Sequence, residues 1–190
     1  MLVVEISTTI EKLKYQSILL RNMILTKKEI LKEIKKKKII IEPFDNQSIG
    51  PASIDLRLGN KIRVFNSKKS IIDLSGSIDY KKYTKLIDIK KGYLLKPSQL
   101  VLGITKEKIT LADDICGWLQ SRSGFARIGL MSHVTAPFIC PGVSNKQVLE
   151  IFHAGHNRIK LKPGIKICQL IFQKCKGKAK YDGRFKNQSL

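Results

Sequence analysis

At 190 residues, 43% of them hydrophobic, the chain is long enough to bury a core as one domain without disulfide or metal staples. Its 36 lysines and arginines against 15 acidic residues give a formal net charge of +21, which admits a polyanionic partner or a lysine-rich solvated surface. No apolar run reaches the roughly 18 residues of a membrane span, and the N-terminus lacks a signal-peptide layout.

Residues 1–22 have only a weak helical pattern and read as an N-terminal extension, either upstream of a true start at Met23 or a non-essential addition. From Thr26 to Lys36 the spacing of Ile30, Leu31 and Ile34 predicts a short helix, with Thr26 as N-cap. The β-branched Ile39–Glu42 predicts a strand that ends at Pro43. Further strands are expected at Ser53–Leu58, Lys61–Phe65, Tyr93–Lys96, Leu100–Thr105, Ile115–Gln120, Met131–Val134, Gln147–His153, Ile159–Leu161 and Ile167–Lys174. Gly59, Pro97, Pro141–Gly142 and Pro163–Gly164 punctuate them. Residues 66–92 are polar and lysine-rich and read as a surface insertion, and Ser123–Leu130 is the one plausible internal helix. Many short strands at regular spacing predict an all-β barrel or jelly roll.

The lysine runs Lys32–Lys38 and Lys81–Lys85 carry no interleaved aromatic residues, so they read as solvated surface rather than as a nucleic-acid platform. Cys116, Cys140, Cys168 and Cys175 have no CxxC spacing and mostly lie in apolar runs, as expected for free buried thiols. His133, His153 and His156 do not form the H-x-E…P-C-x-x-C signature of zinc-dependent deaminases, so no metal site is expected.

The chemistry concentrates in two places. Gly117–Leu130, GWLQSRSGFARIGL, sets Arg122 and Arg127 among serines and glycines between apolar flanks. Glycine lets backbone N–H groups approach a phosphate closely, and arginine binds it through two parallel hydrogen bonds. Glu150 stands alone in the apolar strand QVLEIF, where burial would raise its pKa towards use as a general base. Alternation along that strand allows it equally to face solvent. A phosphate cradle and an isolated carboxylate together suggest an enzyme acting on a nucleotide.

The ordered segments SIDLRLG, SRSGFARIGL, HVTAPFICPG, VLEIF, KPGIKICQL and YDGRFKNQ, from Ser53 to Gln188, resemble the dCTP deaminase family of the dUTPase-like superfamily. The resemblance implies an all-β, distorted β-barrel or jelly roll with one or two short helices, assembled as a homotrimer with active sites between subunits. The barrel domain would cover 23–180 and a C-terminal lid 181–190. It further implies a cytoplasmic enzyme that deaminates dCTP to dUTP and ammonia in the supply of dUMP for thymidylate. Magnesium would enter with the triphosphate and zinc would be absent; dTTP would be an inhibitor, and nucleic acid and membrane would not be partners.

Residue by residue, the resemblance makes Glu150 the general acid and base, Ser123 the holder of the attacking water, and Arg127 the electrostatic partner of Glu150. Ala136 would present backbone groups to the base. Arg122 would bind phosphate within a loop that includes Gly124, Phe125 and Ala126. Val148 and Leu149 would line the deoxyribose and base pocket, and Gln169 would touch the nucleotide. Asp55 would help organise a magnesium–triphosphate through water. In the lid, Tyr181 and Arg184 would meet phosphates and Gln188 the base or triphosphate.

One departure stands out. The family has aspartate before Pro141–Gly142, where it contacts the 3′-hydroxyl, and this chain has Cys140, a poor acceptor. The following VSNKQ also lacks the family's aromatic-x-Gly pattern. The departure is expected to disable triphosphate hydrolysis more than deamination. The alternatives are a bifunctional enzyme carrying dCTP to dUMP, and a non-catalytic nucleotide- or nucleic-acid-binding member of the fold.

Overall fold

The computed structural model describes residues 23–66, 71–74 and 78–190, so the extension 1–22 lies outside the described residues. The predicted first helix is present as α1 (Lys27–Lys35), and Thr26 occupies its N-cap in extended conformation without a side-chain capping bond. Ile30 is completely buried, whereas Leu31 is left exposed. Burying Ile30 contributes about 2 kcal/mol and anchors the helix to the sheet. Glu33, also buried, meets Lys174 at 3.1 Å.

Eleven strands follow among the described residues: β1 (Ile39–Glu42), β2 (Ile54–Phe65), β3 (Thr84–Asp88), β4 (Tyr93–Leu95), β5 (Leu100–Leu111), β6 (Ile115–Ser121), β7 (Leu130–Met131), β8 (Phe138–Ile139), β9 (Ser144–His153), β10 (Ile159–Leu161) and β11 (Lys166–Lys174). A single turn of helix, α2 (Ser123–Ala126), lies between β6 and β7. One nine-stranded sheet takes the order β7-β9-β5-β2-β11-β6-β8, with β1 added beside β5 and β3 beside β2. A separate two-stranded sheet joins β10 to β4. All the pairings are antiparallel. The predicted all-β architecture with short helices is therefore what the chain adopts. Its sheet curls around a core that includes Leu56, Leu58, Ile62, Leu149, Ile151, Leu170 and Phe172.

Several boundaries differ from the sequence reading. The two strands expected on either side of Gly59 are one strand, β2, whose register against β5 shifts between Leu58 and Ile62. Gly59 marks that irregularity rather than a stop. A Cβ there would come within 2.9 Å of the Ile104 carbonyl, so the missing side chain admits a close backbone approach. The insertion at 66–92 contains β3, an edge strand hidden by its exposed lysine. β5 runs on through KEKITL to Leu111. Its Glu107 points inward and is held by Arg57 Nε at 2.6 Å and by the Arg57 backbone N–H at 2.8 Å. The helix expected over Ser123–Leu130 stops after one turn, since Gly129 turns left-handed at φ +81° and leads directly into β7. β7, at Leu130–Met131, shares only Met131 with the strand expected over Met131–Val134.

Candidate active site

β9 carries the central residue. Its odd positions Leu149 and Ile151 are fully buried in the core, which leaves Val148 and Glu150 on the opposite face. A cavity of about 340 Å³ opens against this strand. β9 contributes Asn145, Gln147, Val148 and Glu150, and β5 contributes Leu102, the cross-strand partner of Glu150. The segment after β7 adds Ala136, Phe138, Ile139, Cys140 and Val143. Tyr181, Phe185 and Gln188 of the C-terminal segment and Tyr80 of the insertion complete the lining.

Glu150 is held from one side by the segment that follows β7. Its Oε2 accepts the backbone N–H of Thr135 at 2.6 Å and that of Val134 at 3.1 Å, and its Oε1 accepts the Thr135 hydroxyl at 3.1 Å. Burial alone would push this carboxyl up, but these donors outweigh it and bring its pKa below the usual 4.5. The expectation that burial would raise the pKa is thus corrected. Glu150 is an anion at neutral pH, and three donors of one short segment hold that anion in place. That geometry suits a group that must accept a proton while its orientation is fixed.

His133 lies two residues before Thr135, and both its ring nitrogens are buried without a hydrogen-bond partner among the described residues. Burial lowers its pKa against the opposing charge of Glu150, so the imidazole beside the carboxylate is neutral at pH 7.

Of the residues singled out in the sequence, Glu150, Ala136, Cys140, Val148, Tyr181 and Gln188 meet in this cavity. Leu149 belongs to the core instead. Arg184 does not line the cavity and donates from Nη2 to the Ile78 carbonyl at 2.6 Å. Cys116 and Cys168 are buried free thiols, Cys116 pushed up to about 12 by desolvation, while Cys140 and Cys175 are half-buried and also free.

The remaining candidates form a second cluster, at the adjoining ends of β2, β6 and β11. Arg122 Nε lies 3.5 Å from Asp55, and its Nη1 donates to the Lys166 carbonyl at 3.0 Å. Lys166 Nζ lies 4.0 Å from the same aspartate. Gln169 pairs across the sheet with Asp55 and accepts from the Ser53 hydroxyl at 3.1 Å. Arg122 also lies 5.9 Å over the half-buried Phe125 ring. Ser123, Gly124, Ala126 and Arg127 are exposed on α2 and the residue after it, and they do not line the cavity. One chain therefore presents a carboxylate cavity and, apart from it, an arginine–lysine cluster.

Asn145, Gln147, Tyr80, Phe138 and Phe185 are cavity residues that the sequence reading did not select. The departure VSNKQ was the available signal for the first two. Tyr80 lies in what reads as a featureless insertion.

Three comparisons bear on these features. A family model described as dCTP deaminase-like matches residues 24–175. A dCTP deaminase of Marinomonas sp. is 42% identical over 167 residues, covering 83% of this chain and 86% of the relative. A dUMP-forming dCTP deaminase of Mycolicibacterium smegmatis is 39% identical, covering 78% of this chain and 79% of the relative. Among solved structures, the 2′-deoxycytidine 5′-triphosphate deaminase of Agrobacterium tumefaciens is similar in fold, with a TM-score of 0.64 at 23% identity. That match covers 81% of this chain but about half, 49%, of the other.

Proposed function

Because the chain belongs to the dCTP deaminase-like family, we propose that it hydrolyses the exocyclic amine of dCTP, releasing ammonia, with Glu150 as the proton-transferring group. The observation that carries this reading is the ionised Glu150 carboxylate, fixed by Thr135 and Val134 on the wall of a cavity of about 340 Å³. Water attacks C4 of the cytosine as Glu150 accepts its proton. The carboxyl gives that proton to N3, then takes the proton of the new C4 hydroxyl and passes it to the departing amine, so that ammonia leaves and a carbonyl remains. Ala136, with its small side chain, leaves room for the base edge.

The reading extends to the assembly. Ser123 and Arg127 are exposed on a segment outside the cavity of their own chain, which supports a homotrimer in which they complete a neighbour's cavity. Arg122 and Lys166 would meet the triphosphate there. Asp55 stands between those two cations, an environment that suits orienting them rather than binding a metal directly. Magnesium thus enters as part of the Mg–nucleotide substrate, and neither zinc nor another resident metal is required by the mechanism. A cytoplasmic place in nucleotide metabolism, with dTTP as inhibitor, completes the proposal.

The product is dUTP in this reading. Cys140, on the cavity wall, lacks the acceptor strength that an aspartate would bring to orienting a second water towards the α-phosphate. The competing reading, carriage through to dUMP, is favoured by relatives named as dUMP-forming at 33–40% identity. The test is chromatography of Mg·dCTP and, separately, Mg·dUTP after incubation with the protein. Accumulation of dUTP from dCTP with dUTP itself left intact supports the proposal. Formation of dUMP replaces it with the bifunctional reading, and unchanged dCTP with a folded protein refutes catalysis.

A further inference from the structure

Asn145 and Gln147 are buried amides on the cavity wall to which the deamination chemistry assigns no task. A buried amide is costly unless its donors and acceptors are matched, so their partners are informative. Gln147 donates from Nε2 to Asn145 Oδ1 at 2.6 Å, and its backbone N–H donates to Thr105 Oγ1 at 2.9 Å. Asn145 Nδ2 then donates to two backbone carbonyls of the C-terminal segment, Phe185 at 3.0 Å and Lys186 at 3.1 Å. Carbonyls only accept, so the chemistry sets which way the Asn145 amide faces: nitrogen to the tail, oxygen to Gln147.

Other groups of the body grip the same segment by its backbone. The Tyr80 hydroxyl donates to the Ser189 carbonyl at 2.7 Å, and the Tyr181 N–H donates to the Pro141 carbonyl at 3.0 Å. Tyr80 is itself braced by buried Arg63, whose guanidinium lies 5.8 Å from the ring and donates to Thr84. Gly142 turns left-handed at φ +72° with Lys180 packed where a Cβ would stand, which brings the tail against the Cys140 loop.

We propose that Asn145, oriented by Gln147, is a positioning residue that fastens residues 181–190 over the cavity, so that Tyr181, Phe185 and Gln188 form its outer wall. It grips main-chain carbonyls, so the clasp tolerates changes in the tail's own side chains. The kinetic consequence rests on the proposed dCTP reading; the clasp does not.

The experiment is hydrogen–deuterium exchange by mass spectrometry on the full chain and on Asn145→Ala, Asn145→Asp and Tyr80→Phe, alongside dCTP kinetics. Asn145→Asp keeps an oxygen for Gln147 but loses both donors to the tail. The expected result is about tenfold faster exchange at the hydrogen-bonded tail amides (Tyr181, Phe185, Lys186, Gln188) in both Asn145 variants, with β9 and β11 unchanged. KM for dCTP should rise about tenfold while kcat stays within about twofold. Should the Asn145 variants not fold, Tyr80→Phe should give about threefold faster exchange confined to the tail. Wild-type exchange in the tail, or acceleration spread equally through the sheet, overturns the proposal, as does a loosened tail with KM unchanged in an active enzyme. A loosened tail in a protein that leaves dCTP intact supports the clasp and removes only the substrate assignment.

Discussion

Replacing Glu150 by glutamine separates chemistry from architecture. The carboxylate accepts two backbone N–H groups and one hydroxyl, all from residues 134 and 135. Glutamine has the same shape, and its single oxygen can still accept from Val134 and Thr135. The Thr135 hydroxyl can rotate to accept from the new amide. Three charge-assisted hydrogen bonds thus become three neutral ones. A charge-assisted bond contributes about 2 kcal/mol and a neutral one about 1 kcal/mol, and Glu150 is only partly buried. The stability loss should therefore be at most about 3 kcal/mol, and solvent screening lowers it towards about 1–2 kcal/mol. The catalytic loss has another origin: glutamine cannot accept the proton of the attacking water. Removal of a positioned general base typically costs on the order of 10²–10⁴ in rate, and losing both proton transfers places the expectation at the upper end. The assay is steady-state ammonia release from dCTP, with calorimetric dCTP binding and urea unfolding as controls. Turnover at least about 10³-fold lower, with dCTP affinity within about threefold, is the expected pattern. Turnover within tenfold of the unmodified chain would refute Glu150 as the proton-transferring group.

Thr135→Ala removes a hydroxyl that lowers the Glu150 pKa, so that pKa should rise towards its ordinary value. In the unmodified chain the folded-state pKa lies below 4.5, so the ionised base and the stability it contributes persist above that value and are lost as pH falls through the lowered one. The acid limb of kcat/KM should accordingly move to higher pH in Thr135→Ala, and an unmoved limb would detach the hydroxyl from the base's titration. Cys140→Asp should lower KM for dCTP about fivefold, the effect of one added hydrogen bond, and should let dUMP appear on the chromatogram. No change in either would show that residue 140 does not approach the sugar. Glu107→Ala strands Arg57 beside the core by removing its bonds at 2.6 and 2.8 Å. Urea unfolding should show a loss of about 3 kcal/mol with dCTP affinity retained, and a loss under 1 kcal/mol would mean the pair is dispensable.

By itself, the sequence determined the class of the fold and the part of the chain where the chemistry lies. β-branched alternation and proline–glycine punctuation are local properties, so β1, β4, β10 and β11 could be read within one or two residues. The ordered motifs likewise point to Glu150 and to the arginine loop. What remained hidden depends on contacts between residues distant in sequence. β3 is polar because it lies at a sheet edge, and only pairing with β2 makes it a strand. Periodicity left Glu150 free to face solvent or a pocket. The partly covered face became a cavity only when residues 134–136 crossed β9 and the tail closed from the other side. The direction of its pKa shift is hidden for the same reason: a sequence signals apolar neighbours, which raise it, but not the convergence of backbone donors, which lower it. Asn145 is the clearest case, since its partners are carbonyls 40 and 41 residues away and backbone atoms leave no trace in side-chain identity.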